Sequence, residues 1–423
     1  MTQKSYIVGL GTGGRKIAKE LLVPMVEGTR IDAEKGGDFY LPDLIKESLE
    51  DREIMDEVGK YIRKGKESEL KREGFGSDFF KLGYVLSKAG RLREGLSKKI
   101  FEKIERALTT DCDRVLFTVC FGGGTGTALI NSISRQTKSL TPKPPVFVLG
   151  TLTERCRQDE QNVTFEDRCL TAACSIYELL NEREVSALIL MDNDILMEKC
   201  GIRSREELEN YRPNKKDYKK INEYISDRIR LMIDPRNALS GVNMERSFTF
   251  NSPAIPPIFV PCYSDSLNGK VEDLLENAIN NGKLMECDLG KADKVCVFTS
   301  GISRTKENEI KKWFMDRVQG DKGDIDVDVL RVTGGFLKNE VLLLLRNPYG
   351  RENDKFFDRL SEIIENAKRG ANGKKEELRG EDLFQNEKDV IDDIDKIIKE
   401  LEKVKQRCLN GEKQLFVSEE RHR

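Results

Sequence analysis

The chain has 423 residues, 38% of them hydrophobic and 35% charged, which is long enough that we expect two domains with appendages. Lysine and arginine total 72 against 74 acids, so the formal charge of −2 provides no overall basic field for nucleic acid. The single histidine, His422, stands beside the C-terminus, which argues against His-based catalytic triads and His-ligated zinc.

The ten cysteines form no CxxC pair, and the closest two, Cys169 and Cys174, fit neither a zinc site nor a disulfide framework. Their scatter in apolar runs is typical of reduced, buried thiols. No signal peptide opens the sequence, and no apolar run approaches the ~20 residues that span a bilayer. We therefore expect a cytoplasmic protein without a transmembrane segment.

The N-terminal segment KSYIVGLGTGGRKIAKELL predicts a short strand at 5–8, a glycine turn and a helix from about Arg15. Gly9, Gly11 and Gly14 fit the dinucleotide fingerprint G-x-G-x-x-G. Two interpretations remain open for this stretch alone: an NAD site of a Rossmann oxidoreductase, and a purely structural turn.

A second glycine stretch follows a strand predicted at 114–120 and precedes an apolar helix. It consists of Gly122, Gly123, Gly124, Thr125, Gly126 and Thr127. Four glycines in six positions are costly to order unless something approaches the backbone closely, and free amides at a helix N-terminus bind anions. No GxxxxGK[ST] sequence occurs, so a Walker A loop is excluded. We predict a phosphate site of backbone amides and hydroxyls; a tight helix–strand contact is the alternative.

Strands and helices alternate beyond this loop, with strands at 145–150 and 185–192 and a helix at 166–182. This pattern predicts a parallel sheet covered on both faces, with ligands bound outside the carboxyl ends of its strands. The long helix 215–233 carries an apolar stripe that includes Tyr218, and Asn222 lies one turn further.

The rest of the chain predicts a smaller mixed α/β domain. Its elements are strand 257–262, helix 270–281, strand 294–299, helix 304–318, strands 325–333 and 340–346 paired antiparallel around Gly334-Gly335, and helix 354–368. A linker at 369–387 precedes a final helix with heptad spacing. Fewer than three heptads more often dock on their own domain than form a coiled coil.

The stretch FTVCFGGGTGTALI resembles the glycine signature of the tubulin/FtsZ superfamily. GLGTGG resembles the first phosphate loop of that family. GFGSDFF, which contains Gly76, resembles a later phosphate-contacting loop. LILMDND resembles the strand that ends in a guanine-reading asparagine. Helix 215–233 resembles the central helix between the two domains. The resemblance covers residues from about 5 to 368.

The resemblance implies a site for GTP or GDP, with Mg²⁺ bound mainly through the phosphates. Gly11, Thr12, Gly13 and Gly14 would meet the α- and β-phosphates. Gly123 to Thr127, in the loop that begins at Gly122, would meet the β- and γ-phosphates. Asn193 and Asn222 would pair with the guanine edge while Tyr218 stacks on its face; a helix N-cap for Asn193 and an ordinary core position for Tyr218 are the alternatives. Glu154 and Arg157 would lie at the ribose or γ-phosphate edge.

In this family a loop after the central helix supplies acids to the nucleotide of the next subunit. The FtsZ pattern Asn-x-Asp-x-x-Asp has its best match at Asn243–Phe248, where Glu245 takes the first acidic position and Phe248 the second. With one carboxylate left to orient water, we expect slow GTP hydrolysis, with none as the alternative.

We therefore predict an α/β protein with a Rossmann-like GTP-binding domain at 1–235, a second domain at 250–368, and a linker with a C-terminal helix at 369–423. Its function would be head-to-tail assembly into cytoskeletal filaments, with the C-terminal helix as a candidate adaptor site. A GTP-binding scaffold that neither polymerises nor hydrolyses GTP, and the NAD oxidoreductase, are the alternatives.

Overall fold

The computed structural model describes residues 5–21, 25–26, 29–30, 39–40, 101–102, 105, 114–141, 144–157, 163–181, 185–233, 257–317, 325–332, 338–348, 355–380, 395–396, 398–400, 402–403 and 406. Gly76 and Glu245 lie outside these residues, as do the side chains of Thr12 and Thr125.

Strands and helices alternate from Arg114 to Lys199 in the first half of the chain, as predicted. The elements are β1 Ser5–Gly9, α1 Gly11–Leu21, β2 Met25–Val26, β3 Thr29–Arg30, β4 Phe39–Tyr40, β5 Arg114–Cys120, α2 Thr125–Lys138, β6 Val146–Leu152, α3 Phe165–Asn181, β7 Ala187–Asp192, α4 Asn193–Lys199 and α5 Lys215–Ile233. The bounds of β5 and α5 are those predicted from the sequence.

The second half adds four strands and three helices in its described residues. These are β8 Ile258–Ser266, α6 Val271–Asn281, β9 Lys294–Ser300, α7 Glu307–Arg317, β10 Asp326–Val332, β11 Asn339–Arg346 and α8 Lys355–Gly380. Short 3₁₀ helices lie at Arg205–Asn210, Leu289–Lys291 and Arg304–Lys306.

Strands from both halves form one sheet of nine strands in the described residues, ordered β10-β9-β11-β8-β7-β6-β5-β1-β4. The run from β4 to β8 is parallel, and β7 and β8 join the halves by pairing Leu188 with Ile258. β11 is antiparallel to both of its neighbours. This mostly parallel sheet confirms the predicted α/β class.

Helices cover both faces of the sheet, because its strands are buried on both sides. Side chains of α2, α3, α6, α7 and α8 pack on one face, and those of α1, α4 and α5 on the other. The predicted stripe of α5 is part of the second layer, through Ile221, Ile225 and Ile229. Among the described helices, none is long and apolar enough to cross a membrane.

The antiparallel pair predicted around Gly334-Gly335 is wrong, because β10 and β11 are not neighbours. β9 lies between them and pairs in parallel with β10 and antiparallel with β11. Burial explains the order: nearly every residue of β11 is buried, which suits an interior strand, whereas β10 alternates with exposed and half-buried positions, as a strand at the sheet edge does.

The linker predicted from residue 369 is also wrong in its first part, because α8 continues to Gly380. The helix packs against α3, and a Cβ on Gly370 would lie 2.6 Å from the carbonyl oxygen of Glu166. Gly370, which suggests a linker in the sequence, therefore permits a close contact between α8 and α3.

The tail residues that the structure describes dock on this same helix pair. Lys368 lies 3.0 Å from Glu402, the Tyr177 hydroxyl lies 3.4 Å from Glu400, and Ile398 packs against the core. The described part of the tail thus docks on its own chain.

Candidate functional site

Two glycine loops meet at the carboxyl ends of the neighbouring strands β1 and β5. The Thr118 hydroxyl donates to the Gly14 carbonyl at 2.7 Å, and the Leu10 amide donates to the Thr118 carbonyl at 2.9 Å. α1 begins at Gly11 and not near Arg15, so the first loop forms the opening turn of the helix. The N-termini of α1 and α2 are thereby placed side by side.

Some of these glycines serve the packing of one loop on the other. An added Cβ would lie 2.1 Å from the Thr118 carbonyl oxygen at Gly14, and 2.4 Å from the Leu10 carbonyl oxygen at Gly126. Gly123 differs, because a Cβ there would meet, among the described residues, only the Cys120 carbonyl oxygen at 3.4 Å. Close packing therefore explains Gly14 and Gly126, whereas a Cβ on Gly123 has room among the described residues.

The first turn of α2 presents backbone donors. The first four N–H groups of a helix have no partner within it, and the N-cap of α2, Gly124, provides no side chain to satisfy them. The Thr127 hydroxyl is used inside the fold, donating to the Cys120 carbonyl at 3.3 Å. Amides at two adjacent helix N-termini, each at the positive end of a helix dipole, are suited chemically to a polyanion.

Cys120 ends β5 between the two loops and would lie in contact with a Cβ on Gly13. Burial raises the pKa of its thiol to about 11, against the opposing effects of Thr151 and Lys16. The thiol is therefore neutral near pH 7 and adds no negative charge that would repel a phosphate.

Two of the residues predicted to meet the base, Asn193 and Tyr218, come together at Glu154. Its carboxylate accepts from Asn193 Nδ2 at 3.1 Å and from the Tyr218 hydroxyl at 2.8 Å. Burial and the charge of Glu154 raise the pKa of Tyr218, so the phenol remains a donor. Asn222 is buried one turn along the same helix, α5.

The structure tests the alternative roles of Asn193 and Tyr218. The N-cap of α4 is Asp192, whose carboxylate accepts from the Asp194 amide at 3.1 Å, so the N-cap interpretation of Asn193 is wrong. Tyr218 packs against the core of its layer while its hydroxyl reaches Glu154, so it combines a core position with a polar contact.

Arg168, which no sequence pattern indicated, secures the loop after β6. Its guanidinium donates to the Thr153 hydroxyl at 2.8 Å and to the carbonyls of Glu154 at 3.0 Å and Cys156 at 2.6 Å, and it lies 4.0 Å from the Glu154 carboxylate. Arg157 is exposed after this loop. The buried cation beside Glu154 is thus Arg168.

A second missed arginine, Arg359, connects α8 to the same region. It donates to Asp192 at 2.9 Å and to the Thr153 carbonyl at 2.6 Å, and lies 3.3 Å from Asp194. The residues on both sides of Asn193 and the residue before Glu154 are therefore held by one side chain.

Two further contacts complete this buried network. The Arg155 amide donates to Asp194 at 2.8 Å, and its guanidinium makes a two-pronged pair with Glu362 at 2.6 Å. Burial and the neighbouring Asp192 raise the pKa of Asp194 to about 7, against the lowering effect of Arg359.

The N-cap role of Asp192 could have been predicted, because aspartate before a short helix is a preferred cap. Arg168 and Arg359 carried no signal of this kind. Each is one of many arginines on a helix, and Arg359 lies 167 residues from Asp192 along the chain.

No family model and no curated protein sequence matches the chain. Its fold is similar to that of CetZ2 from Haloferax volcanii, a structure described as a GTPγS-bound protofilament, with 17% identity, a TM-score of 0.57 and coverage of 88% of this chain and 100% of the other. CetZ1 from the same organism, a GDP-bound monomer, gives 18% identity and a TM-score of 0.57, with coverage of 88% and 100%. An FtsZ dimer from M. jannaschii gives 16% identity and a TM-score of 0.51, with coverage of 82% and 88%. The chain therefore has the fold of the tubulin/FtsZ superfamily.

Proposed function

We propose that the chain binds GTP and GDP, with the phosphates across the N-termini of α1 and α2 and the base beside Asn193, Tyr218 and Asn222. The observation that carries the proposal is the meeting of two helix N-termini at one sheet edge, beside an asparagine, a tyrosine and a carboxylate already in contact. A dinucleotide fingerprint needs the first loop alone. The second loop favours a guanine nucleotide over NAD.

The phosphate contacts follow from the position of each loop. Gly11 to Gly14 would meet the α- and β-phosphates, and Gly123 to Thr127 the β- and γ-phosphates. The described residues contain no group of three or more His, Cys, Asp and Glu that could hold a metal ion. We therefore propose that Mg²⁺ is held mainly by phosphate oxygens.

Gly123→Val tests the phosphate site directly. Because a Cβ at this position has room within the fold, the variant is expected to fold like the wild type and to lose GTP binding by at least ~100-fold in calorimetry. Gly373→Val is the control, since a Cβ there meets no described atom within 4 Å. Wild-type protein that prefers NAD or ATP to GTP, or a Gly123→Val variant that binds GTP normally, would contradict the proposal.

We further propose that the chain assembles head to tail into filaments in the cytoplasm. The likeness to a structure described as a protofilament supports this part. Sedimentation with GTP, GDP and GTPγS tests it, and pelleting that depends on GTP or GTPγS is expected. A protein that binds GTP but stays in the supernatant at every concentration is instead the non-polymerising scaffold. An adaptor bound through the tail would have to use the tail surface that faces away from Lys368 and the core.

A further inference from the structure

Glu154 lies buried between two donors, with only 4% of its surface exposed. Tyr218 donates to Oε1 and Asn193 to Oε2, so the two oxygens are used separately. Arg168 lies 4.0 Å from Oε1 and provides the compensating positive charge. The arrangement suits an ionised carboxylate, which can only accept hydrogen bonds.

This contact determines which way the Asn193 amide is turned. The oxygen and nitrogen of an amide side chain have nearly the same shape, and their assignment follows from their partners. A carboxylate cannot donate, so the atom that faces Glu154 must be Nδ2. The acceptor Oδ1 is thereby left for a ligand.

The backbone on both sides of this pair is also held. Asp192 caps α4 and binds Arg359, Asp194 accepts from the Arg155 amide, and the Thr153 carbonyl accepts from Arg359. With the chain fixed at these points, the Asn193 side chain has little freedom to turn over except by rotation of its amide. Glu154 opposes that rotation.

We propose that Glu154 is a specificity-determining residue, which selects guanine over adenine by fixing the Asn193 amide with its oxygen toward the base. Guanine presents N1–H and N2–H donors on its pairing edge, and both match an acceptor. Adenine presents an acceptor at N1, which Oδ1 repels. The inference rests on the proposed function, because it requires that the base lies beside Asn193.

Glu154→Gln tests the inference with almost no change of shape. The new amide can donate to Asn193 Oδ1, so the Asn193 amide is free to turn and offer its nitrogen to adenine N1. Calorimetry with GTP and ATP on wild-type and variant protein is expected to show the GTP-to-ATP affinity ratio falling about 10-fold. A glutamine that only removed a ribose contact would weaken both nucleotides by the same factor and leave the ratio unchanged.

Glu178→Gln is the matched control, because Glu178 accepts from Asn131 between α2 and α3 in a pair of the same chemistry away from the base. It is expected to keep the wild-type ratio. If thermal unfolding shows that Glu154→Gln does not fold, Glu154→Ala, which also releases the amide, replaces it with the same expected loss of selectivity.

The outcomes separate the two proposals. Wild-type protein that does not bind GTP overturns the proposed function. Wild-type protein that prefers GTP, together with a folded Glu154 variant that keeps the full preference over ATP, overturns the role of Glu154 alone.

Discussion

The positive charge of Arg359 compensates the charges of two buried carboxylates, so its removal should lower the stability of the fold. Asp192 and Asp194 are each at most about one-twentieth exposed at the side chain, and α8 supplies the cation between them. Removing one partner of a buried ionic group leaves an uncompensated charge, so Arg359→Met is expected to lower the free energy of unfolding by roughly 3–5 kcal/mol. Arg359→Lys should lower the free energy of unfolding by less, because lysine keeps the positive charge while losing the planar guanidinium group. Urea unfolding at neutral pH measures both, and equal stability of Arg359→Met and wild type would be incompatible with this role.

Asp194 makes the same region sensitive to pH. Its pKa of about 7 lies above the ordinary value of 3.8, mainly because of burial and then of Asp192. A carboxyl whose pKa is higher in the folded state binds more protons when folded, so its ionisation costs the folded state stability as the pH rises from about 4 to about 7. We expect the unfolding free energy of wild type, relative to Asp194→Asn, to fall across this interval. Urea unfolding of both proteins between about pH 5 and pH 8 measures the difference, and a difference independent of pH would refute the assignment.

At the scale of residues, the sequence predicts sites formed by residues close together in the chain, and it does not predict contacts between residues far apart in the chain. The glycines and threonines of the two loops stood out because such stretches are rare between buried elements. Asn193 and Tyr218 were selected by resemblance, and the structure joins both to Glu154. Arg359 meets this region only because α8 crosses it, which depends on the packing of elements far apart in sequence.

Helix α8 contains two glycines, Gly370 and Gly373, whose substitution distinguishes the effect of helix packing from that of helix propensity. A Cβ on Gly370 would lie 2.6 Å from the Glu166 carbonyl oxygen of α3, whereas one on Gly373 meets no described atom within 4 Å. Gly370→Val should therefore push the helices apart and cost roughly 1–3 kcal/mol. Gly373→Val should stay within about 0.5 kcal/mol of wild type or stabilise the helix slightly. Chemical unfolding of the two variants is the measurement, and equal losses would show that the contact with α3 is not tight.

At the scale of elements, periodicity and strand burial predicted most strands and helices, including α5 to the residue. The errors concern partners. The two strands flanking Gly334-Gly335 suggest a hairpin because they are close in sequence. The mostly apolar β11 instead gains more burial between β8 and β9 than it would at the sheet edge. The glycines and charges of residues 369–380 suggest a linker, yet α8 continues through them, and Gly370 and Ala371 are buried where the helix packs.

The whole molecule presents two different ends. The glycine loops lie at the carboxyl edge of the parallel strands, while β8, which is parallel to β7, begins at the opposite edge. Glu245 lies between Ile233, where α5 ends, and Ile258, where β8 begins, in a part of the sequence outside the described residues. In a head-to-tail stack, the amino edge of one molecule meets the carboxyl edge of the next. Such a contact does not close on itself and so continues into a filament.

With the proposed head-to-tail assembly, we expect GTP hydrolysis to depend on contact between subunits. We expect Glu245 of one subunit to approach the γ-phosphate bound at Gly123 to Thr127 of the next, so phosphate release should rise more than linearly with protein concentration. Turnover should be slow, because Phe248 replaces the second acid of the motif. Glu245→Ala should abolish the remaining turnover while GTP binding and pelleting persist, because the carboxylate acts on the transition state. Steady-state phosphate release by both proteins across a concentration series measures this. Equal rates for the two proteins, or a rate strictly proportional to concentration, would mean that Glu245 does not act on the neighbouring nucleotide.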